Sequence, residues 1–131
     1  MDDCIFCRIA SGSLPCHQIY EDKDFLAFLD INPVAVGHTL VIPKHHYRWV
    51  YDVPNFDQYW QVAQKIALNI KNSSLKPEFI SFLTMGNDVP HAHIHIIPRN
   101  LGDQIQPVLQ PFPHQKLDDK QLVEIKNKIK L

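Results

Sequence analysis

Apolar and polar positions come in short bursts through the first third of the chain and then settle into a wider rhythm. Residues 17–21 and 25–30 are two apolar runs separated by charged turn residues, which is a hairpin pattern. Asn32-Pro33 breaks the second run and Gly37 permits another sharp turn. Thr39 to Pro43 then reads as a β-branched, apolar strand closed by proline. Three strands are therefore expected early in the chain, after a turn at residues 10–15, ASGSLP. From residue 57 to about 73 the period changes. Trp60, Ala63, Ala67 and Ile70 recur at spacings of three and four, with Val62 and Ile66 widening the stripe, so the spacing predicts a helix. Phe56-Asp57 is its N-cap candidate, and Asn72-Ser73-Ser74 followed by Pro77 ends it. Residues 78–85, EFISFLTM, return to strand character, and Gly86-Asn87-Asp88 reads as a turn. Ile94, Ile96 and Ile97 favour a further strand over 91–97, stopping at Pro98. Near the end, Asp118-Asp119 precede Leu122, Ile125 and Ile129 in an amphipathic helix whose acids and lysines match the helix dipole. Between these last two elements, QIQPVLQPFPHQ reads as an extended surface connection.

These elements predict an α+β fold: an antiparallel sheet with one long packed helix and a second helix at the carboxyl end. A length of 131 residues suits one domain, here residues 1–131. Hydrophobic residues at 45% and charged residues at 21% are ordinary for a globular chain and do not suggest disorder. A formal net charge of -1 gives no basic stripe for a nucleic-acid polymer, so a nucleotide would have to be held in a local pocket. No apolar run reaches the roughly 18 residues of a membrane span, and the opening MDDCIF is acidic where a secretory signal would be basic. The cytoplasm is the expected compartment, with no membrane partner. Three cysteines are too few for a disulfide framework, and Cys4-x-x-Cys7 has the spacing of a metal or redox pair. Cys16 reads as packing.

The chemistry concentrates in HAHIHIIPR, residues 91–99. On a strand, His91, His93 and His95 share one face and Ala92, Ile94 and Ile96 the other, with successive imidazoles roughly 6 to 7 Å apart. A solvated polar face is one reading, but lysine, threonine or glutamate would serve that purpose equally well. Metal binding is a second, since an H-x-H pair can chelate zinc, and catalysis by one imidazole positioned by its neighbours is a third. Spacing alone does not separate the last two.

The segment resembles the H-φ-H-φ-H-φ-φ signature of the histidine triad (HIT) family, in its bacterial-type branch with an amino-terminal C-x-x-C. Residues 4–47 are similar to the amino-terminal half of that family. They include the D-I-x-P step at Asp30 to Pro33 and the stretch GHTLVIPK at Gly37 to Lys44. The resemblance covers residues 4–99, leaving 100–131 as a carboxyl-terminal extension and helix. It implies that His93 attacks the α-phosphorus of a nucleotide to form a covalent nucleotidyl-histidine, which water hydrolyses. Imidazole is nucleophilic near neutral pH, and its phosphoramidate is labile enough to split one difficult displacement into two easier ones. His95 would contact the phosphate, and the carbonyl near His91 would hold the other nitrogen of His93. The nucleoside pocket carries over onto Ile5, Phe6, Asp30 and Ile31, with apolar side chains around the base and the Asp30 carboxylate on the ribose hydroxyls. The apolar three could instead be core, and Asp30 a turn cap.

Many relatives carry G-Q-[ST]-V before the triad, whereas this chain reads MGNDVPHAH, placing Asn87 and Asp88 there. Asn87 can still donate to phosphate, but an ionised Asp88 cannot. Relatives with the cysteine pair hold a structural zinc through both cysteines, a histidine of the P-K-x-H step and the first triad histidine, here Cys4, Cys7, His46 and His91. That is a closed Cys₂His₂ set, with His45 the neighbouring competitor for His46 and reduced, buried thiols the alternative. The implied function is hydrolysis of a nucleoside 5′-phosphoramidate or a dinucleoside polyphosphate. A purine nucleotide would be the substrate, AMP a typical product and a homodimer the assembly. Phe56, Tyr59 and Trp60 give the long helix more aromatic surface than one core face needs. Two other readings are a nucleotide-binding module without turnover and a zinc-dependent hydrolase using the triad itself as ligands.

Overall fold

The structure, a computed structural model, describes residues 3–103, 105 and 115–131. In chain order its elements are α1 (Ile5–Ser11), β1 (Gln18–Glu21), β2 (Phe25–Leu29), β3 (Thr39–Pro43), α2 (Phe56–Lys71), β4 (Phe79–Leu83), β5 (Ile94–Arg99) and α3 (Asp119–Ile129). One 3-10 turn, Val50–Asp52, precedes α2. The strands form one antiparallel sheet in the order β1-β2-β3-β5-β4. This is the α+β architecture that the apolar pattern predicts.

Both faces of the sheet centre are covered, which is why β2 and β3 read as unbroken apolar runs. Phe25, Ala27, Leu29 and Val41 join Ile94 and Ile96 in a core completed by Val62, Ala63, Ile66 and Ile70 of α2 and by Leu122, Ile125 and Ile129 of α3. Their alternate neighbours Leu26, Phe28, Leu40 and Ile42 pack on the other face with Cys4 and Phe6. Each fully buried Ile of α2 contributes about 1.5–3 kcal/mol of transfer free energy. Tyr59 belongs to this core and not to the surface: it is wholly buried, stacked on Phe25 with centroids 5.1 Å apart, and donates to Val41 O at 2.7 Å.

Several boundaries differ from the sequence pattern. No helix was expected before β1, yet residues 5–11 form α1, whose N-cap is the Cys4 thiolate or thiol sulfur accepting from the Cys7 N–H and whose end is Gly12 at φ 85°. The expected turn at 10–15 therefore begins with helix. α2 opens at Phe56 from Asn55, which makes no side-chain cap, so Phe56-Asp57 is not the cap. Asn55 instead reaches Asp24 and Gln58. α3 has the expected acidic start in the form of a capping box, with Asp118 accepting from Gln121 N–H and Gln121 from Asp118 N–H.

The strand expected at 91–97 lies at Ile94–Arg99 and runs through Pro98. Arg99 O accepts from Glu78 N–H at 2.9 Å, so that residue points its polar groups toward β4 and Pro98 points the other way. There β3 has already ended, at the Thr39 to Ile96 pair, so a missing N–H costs no ladder bond. Among the described residues no helix is long and apolar enough to cross a membrane. The proline-rich connection expected at 104–115 lies mostly outside the described residues.

Candidate functional site

His91, Ala92 and His93 lead into β5, and their side chains alternate although these three residues are not strand. Ala92 N–H donates to Tyr47 O at 2.7 Å and His91 N–H to Val89 O at 2.8 Å. Ala92, Ile94 and Ile96 enter the α2 core. His91 and His93 face the opposite side, where the Phe6 ring meets them edge-on at 5.8 and 5.2 Å.

Each ring has a different partner, and the partner fixes where its lone pair lies. His91 Nε2 is 2.8 Å from Pro43 O, and a carbonyl only accepts, so Nε2 carries the proton and Nδ1 is left as a donor of electrons. His93 Nδ1 is 2.7 Å from His91 O and carries the proton by the same argument, which frees Nε2. His38 Nδ1 accepts from Val34 N–H at 3.1 Å, so its Nε2–H donates to His95 Nδ1 at 2.8 Å, and His95 is left with an Nε2–H. Three consecutive histidines of one face thus present a ligand nitrogen, a nucleophilic nitrogen and a hydrogen-bond donor.

Burial holds the rings neutral. Desolvation is the first cause of the downward shift at all three, taking His91 and His95 to about 4. His93 is lowered too, against the opposing fields of Asp30 and Asp88 and with that of Arg48. A neutral imidazole is the form that can attack.

Of the expected pocket residues, Ile5 and Ile31 are exposed, at 46% and 65%, so neither is a core residue. Phe6 is buried, against Phe28 as well as the triad. Asp30 caps the following turn through Asn32 N–H at 2.8 Å, with its other oxygen 3.6 Å from His38 Nε2. Asn87 and Asp88 are exposed. Sequence reasoning missed His38 and Arg48. The first had a signal, a histidine immediately before the apolar run that becomes β3. Arg48 donates to Gly86 O at 2.7 Å and lies 3.8 Å over the Trp49 ring, pinning the loop before the triad, and carried no such signal.

The four cysteine and histidine residues converge. Ligand atoms of Cys4, Cys7, His46 and His91 all lie within 4.8 Å of one another. Cys4 Sγ is 3.3 Å from His91 Nδ1, and Cys7 Sγ is 3.3 Å from His46 Nδ1 and 3.5 Å from His91 Nδ1. Sulfur and nitrogen on a tetrahedral zinc stand about 3.5 Å apart, from bonds of about 2.3 and 2.0 Å, so the donor set fits. His91 already holds its ring through Pro43 O, the usual outer support of a ligating imidazole. Without a cation, burial and then Cys4 push the Cys7 thiol up to about 11. His45 is exposed and turns to Tyr47. A second group, Asp30, His38 and His95, is also close. Its two nitrogens at 2.8 Å are nearer than the roughly 3.3 Å of two nitrogens on one zinc, so a hydrogen bond accounts for it.

Comparison with known proteins points one way. A profile of the HIT domain matches residues 11–102. The chain is 43% identical over 105 residues to Protein hit of Bacillus subtilis, covering 75% of this chain and 72% of that protein. It is 33% identical over 119 residues to adenosine 5′-monophosphoramidase HNT1 of Saccharomyces cerevisiae, covering 88% and 73%. The crystal structure of a zinc-bound histidine triad family protein from Mycobacterium smegmatis superimposes with a TM-score of 0.80 at 32% identity, covering 98% of this chain and 91% of that one.

Proposed function

The chain belongs to the histidine triad (HIT) family, and from that premise we propose that it hydrolyses a nucleoside 5′-phosphoramidate or a dinucleoside polyphosphate at the α-phosphate, releasing a nucleoside monophosphate such as AMP. One observation carries the reading. His93 Nδ1–H is held by His91 O at 2.7 Å, so the lone pair of a neutral ring sits on Nε2. The relative from yeast is an adenosine 5′-monophosphoramidase, which agrees with it.

In the first step His93 Nε2 bonds to the α-phosphorus as the bond to the leaving nitrogen or oxygen breaks. A leaving amine keeps the bonding pair and takes one proton from water. That hydroxide, or, where a phosphate oxygen leaves as the anion, a water that gives up one proton to solvent, then displaces His93 from phosphorus, returning the neutral ring and the monophosphate. The net reaction consumes one water. His95 Nε2–H is the donor to a phosphoryl oxygen, where negative charge builds up, and His91 O steadies the imidazolium of the adduct. The purine base lies between Ile5, Ile31 and Phe6, and Asp30 accepts the ribose hydroxyls.

Cys4, Cys7, His46 and His91 are the residues that would hold a zinc ion. A closed Cys₂His₂ set leaves no open position, so bound zinc supplies a structural tie between α1 and the triad segment. A homodimer is the assembly in this reading, supported by the exposed aromatic edge that α2 shares with β4.

The test is AMP release from adenosine 5′-phosphoramidate, followed chromatographically, by the parent and by folded His93→Ala. The parent should release AMP and the variant lose at least the 10²–10⁴-fold typical of a removed catalytic group. Tight AMP binding without release by the parent would move the chain to a binding role.

A further inference from the structure

The loop before the triad is where this chain departs from the G-Q-[ST]-V pattern, and its placement gives the departure a consequence. Gly86 is fixed by Arg48 and lies under Trp49, whose ring carbons would stand 3.0 Å from a Cβ there. Val89 packs into the cluster that contains Phe6, and the Phe6 ring meets His93. Asp88 is bracketed between these two anchors. It is exposed, its field reaches His93, and it makes no hydrogen bond or salt bridge among the described residues. The other charges that reach His93 are already engaged, Asp30 by Asn32 N–H and Arg48 by Gly86 O.

We propose that Asp88 is a specificity residue that reads the charge of the leaving group, favouring phosphoramidates whose amine carries an additional positive charge and opposing anionic leaving groups such as a polyphosphate. This rests on the hydrolytic reading of the site. The physical reason is one uncommitted, exposed carboxylate in a loop held on one side by Arg48 and on the other by the Phe6 cluster that meets His93. A hydroxyl there, as in the usual pattern, donates to any leaving group and attracts none by charge. A carboxylate cannot donate, and it acts on charge over a longer range. For any two unit charges about 8 Å apart, screening between surface-like and water-like values corresponds to about a threefold to thirtyfold change in kcat/KM. Discrimination of this kind collapses in salt, which a hydrogen bond would resist. As in the general reaction, the P–N bond breaks, the amine leaves with the bonding pair and one water proton, and His93 is freed by hydroxide.

The experiment uses three adenosine 5′-phosphoramidates, made with 2-(trimethylammonio)ethylamine, 2-methoxyethylamine and taurine. They extend the leaving amine by a positive, a neutral and a negative group. Their intrinsic reactivities differ, so the quantity read is the ratio of kcat/KM values in the parent divided by the same ratio in Asp88→Ser, Asp88→Asn and Asp88→Lys, each checked for folding by circular dichroism. The cationic-to-anionic ratio should fall about tenfold or more in Ser and Asn, fall further in Lys, and shrink in the parent at high salt. An unchanged ratio in all three folded variants overturns the assignment of Asp88 and leaves hydrolysis by His93 standing. Absence of AMP from every substrate with the parent overturns the hydrolytic reading, and the Asp88 assignment falls with it.

Discussion

His95 depends on a residue that sits 57 positions away in the chain. Its Nδ1 accepts from His38, and only that bond commits the proton of a neutral ring to Nε2. Replacing His38 by Ala removes the donor, and water or the other tautomer takes its place. AMP release should then lose about 10–100-fold in kcat with a smaller change in KM, the scale seen when an outer partner orienting an imidazole is lost. His38→Gln, whose amide can donate, should recover part of it. An unchanged kcat in His38→Ala would mean that His95 needs no such orientation. The triad itself was legible because alternation survives any error in strand boundaries. His38 was not, since a histidine at the head of an apolar run signals burial but not the partner it meets. The same limit applies to Arg99 and Asp103, which pair at 2.7 Å through two nitrogens and two oxygens. Arg99 holds the Asp103 carboxyl down at about 2. A carboxyl with a lowered folded value contributes stability that is complete above its unfolded value near 4 and is lost as pH falls toward 2. The melting temperature of the parent should exceed that of Asp103→Asn above pH 4, and the two should converge near pH 2.

At the scale of elements, α1 shows why a short helix escapes a periodicity argument. Seven residues are two turns, too few for a stripe, and the capping atom is a cysteine sulfur where serine or aspartate would have been recognised. The C-x-x-C spacing that signals metal is also the first turn of this helix, so ligand set and helix start are one feature. Removing a ligand should therefore loosen the helix as well as release metal. Cys7→Ser is expected to bind less than stoichiometric zinc by atomic emission, melt at a lower temperature, and exchange the amides of residues 5–11 faster. Chelation of the parent should reproduce these effects. Amide exchange that is indifferent to both treatments would separate the helix from the metal. The β5 boundary was misplaced for a related reason: local sequence carries the alternation, but where a strand stops depends on the lengths of its neighbours. Pro98 is tolerated because β3 is short on that side.

The whole molecule was legible to the extent that its core is periodic: the sheet, the long helix and the last helix follow from apolar spacing. What faces outward from that core was less so. Tyr59 counts as surface when the helix is drawn alone, but it is the ring that joins α2 to β2 and β3. The remaining aromatic surface is narrower and continuous across two elements. Phe56 and Phe82 are each 44% exposed, Trp60 lies between them at 6.2 and 5.8 Å, and β4 is a sheet edge that no strand among the described residues pairs on its outer side. Trp60 Nε1 is buried without a hydrogen-bond partner among the described residues, at a cost of about 1–3 kcal/mol if nothing supplies one. An open, apolar edge strand is an association surface unless it is protected, and β4 carries no proline and no charge within Phe79–Leu83. A second copy across this edge would cover the aromatic ridge, pair the backbone and offer the indole an acceptor. Sedimentation at micromolar concentration should give twice the 15.2 kDa chain mass. Phe82→Asp, which sets a charge on an exposed position of that edge, should sediment as a folded single chain. A parent that remains a single chain at that concentration overturns the dimer, and the ridge is then left as surface that a different partner must explain.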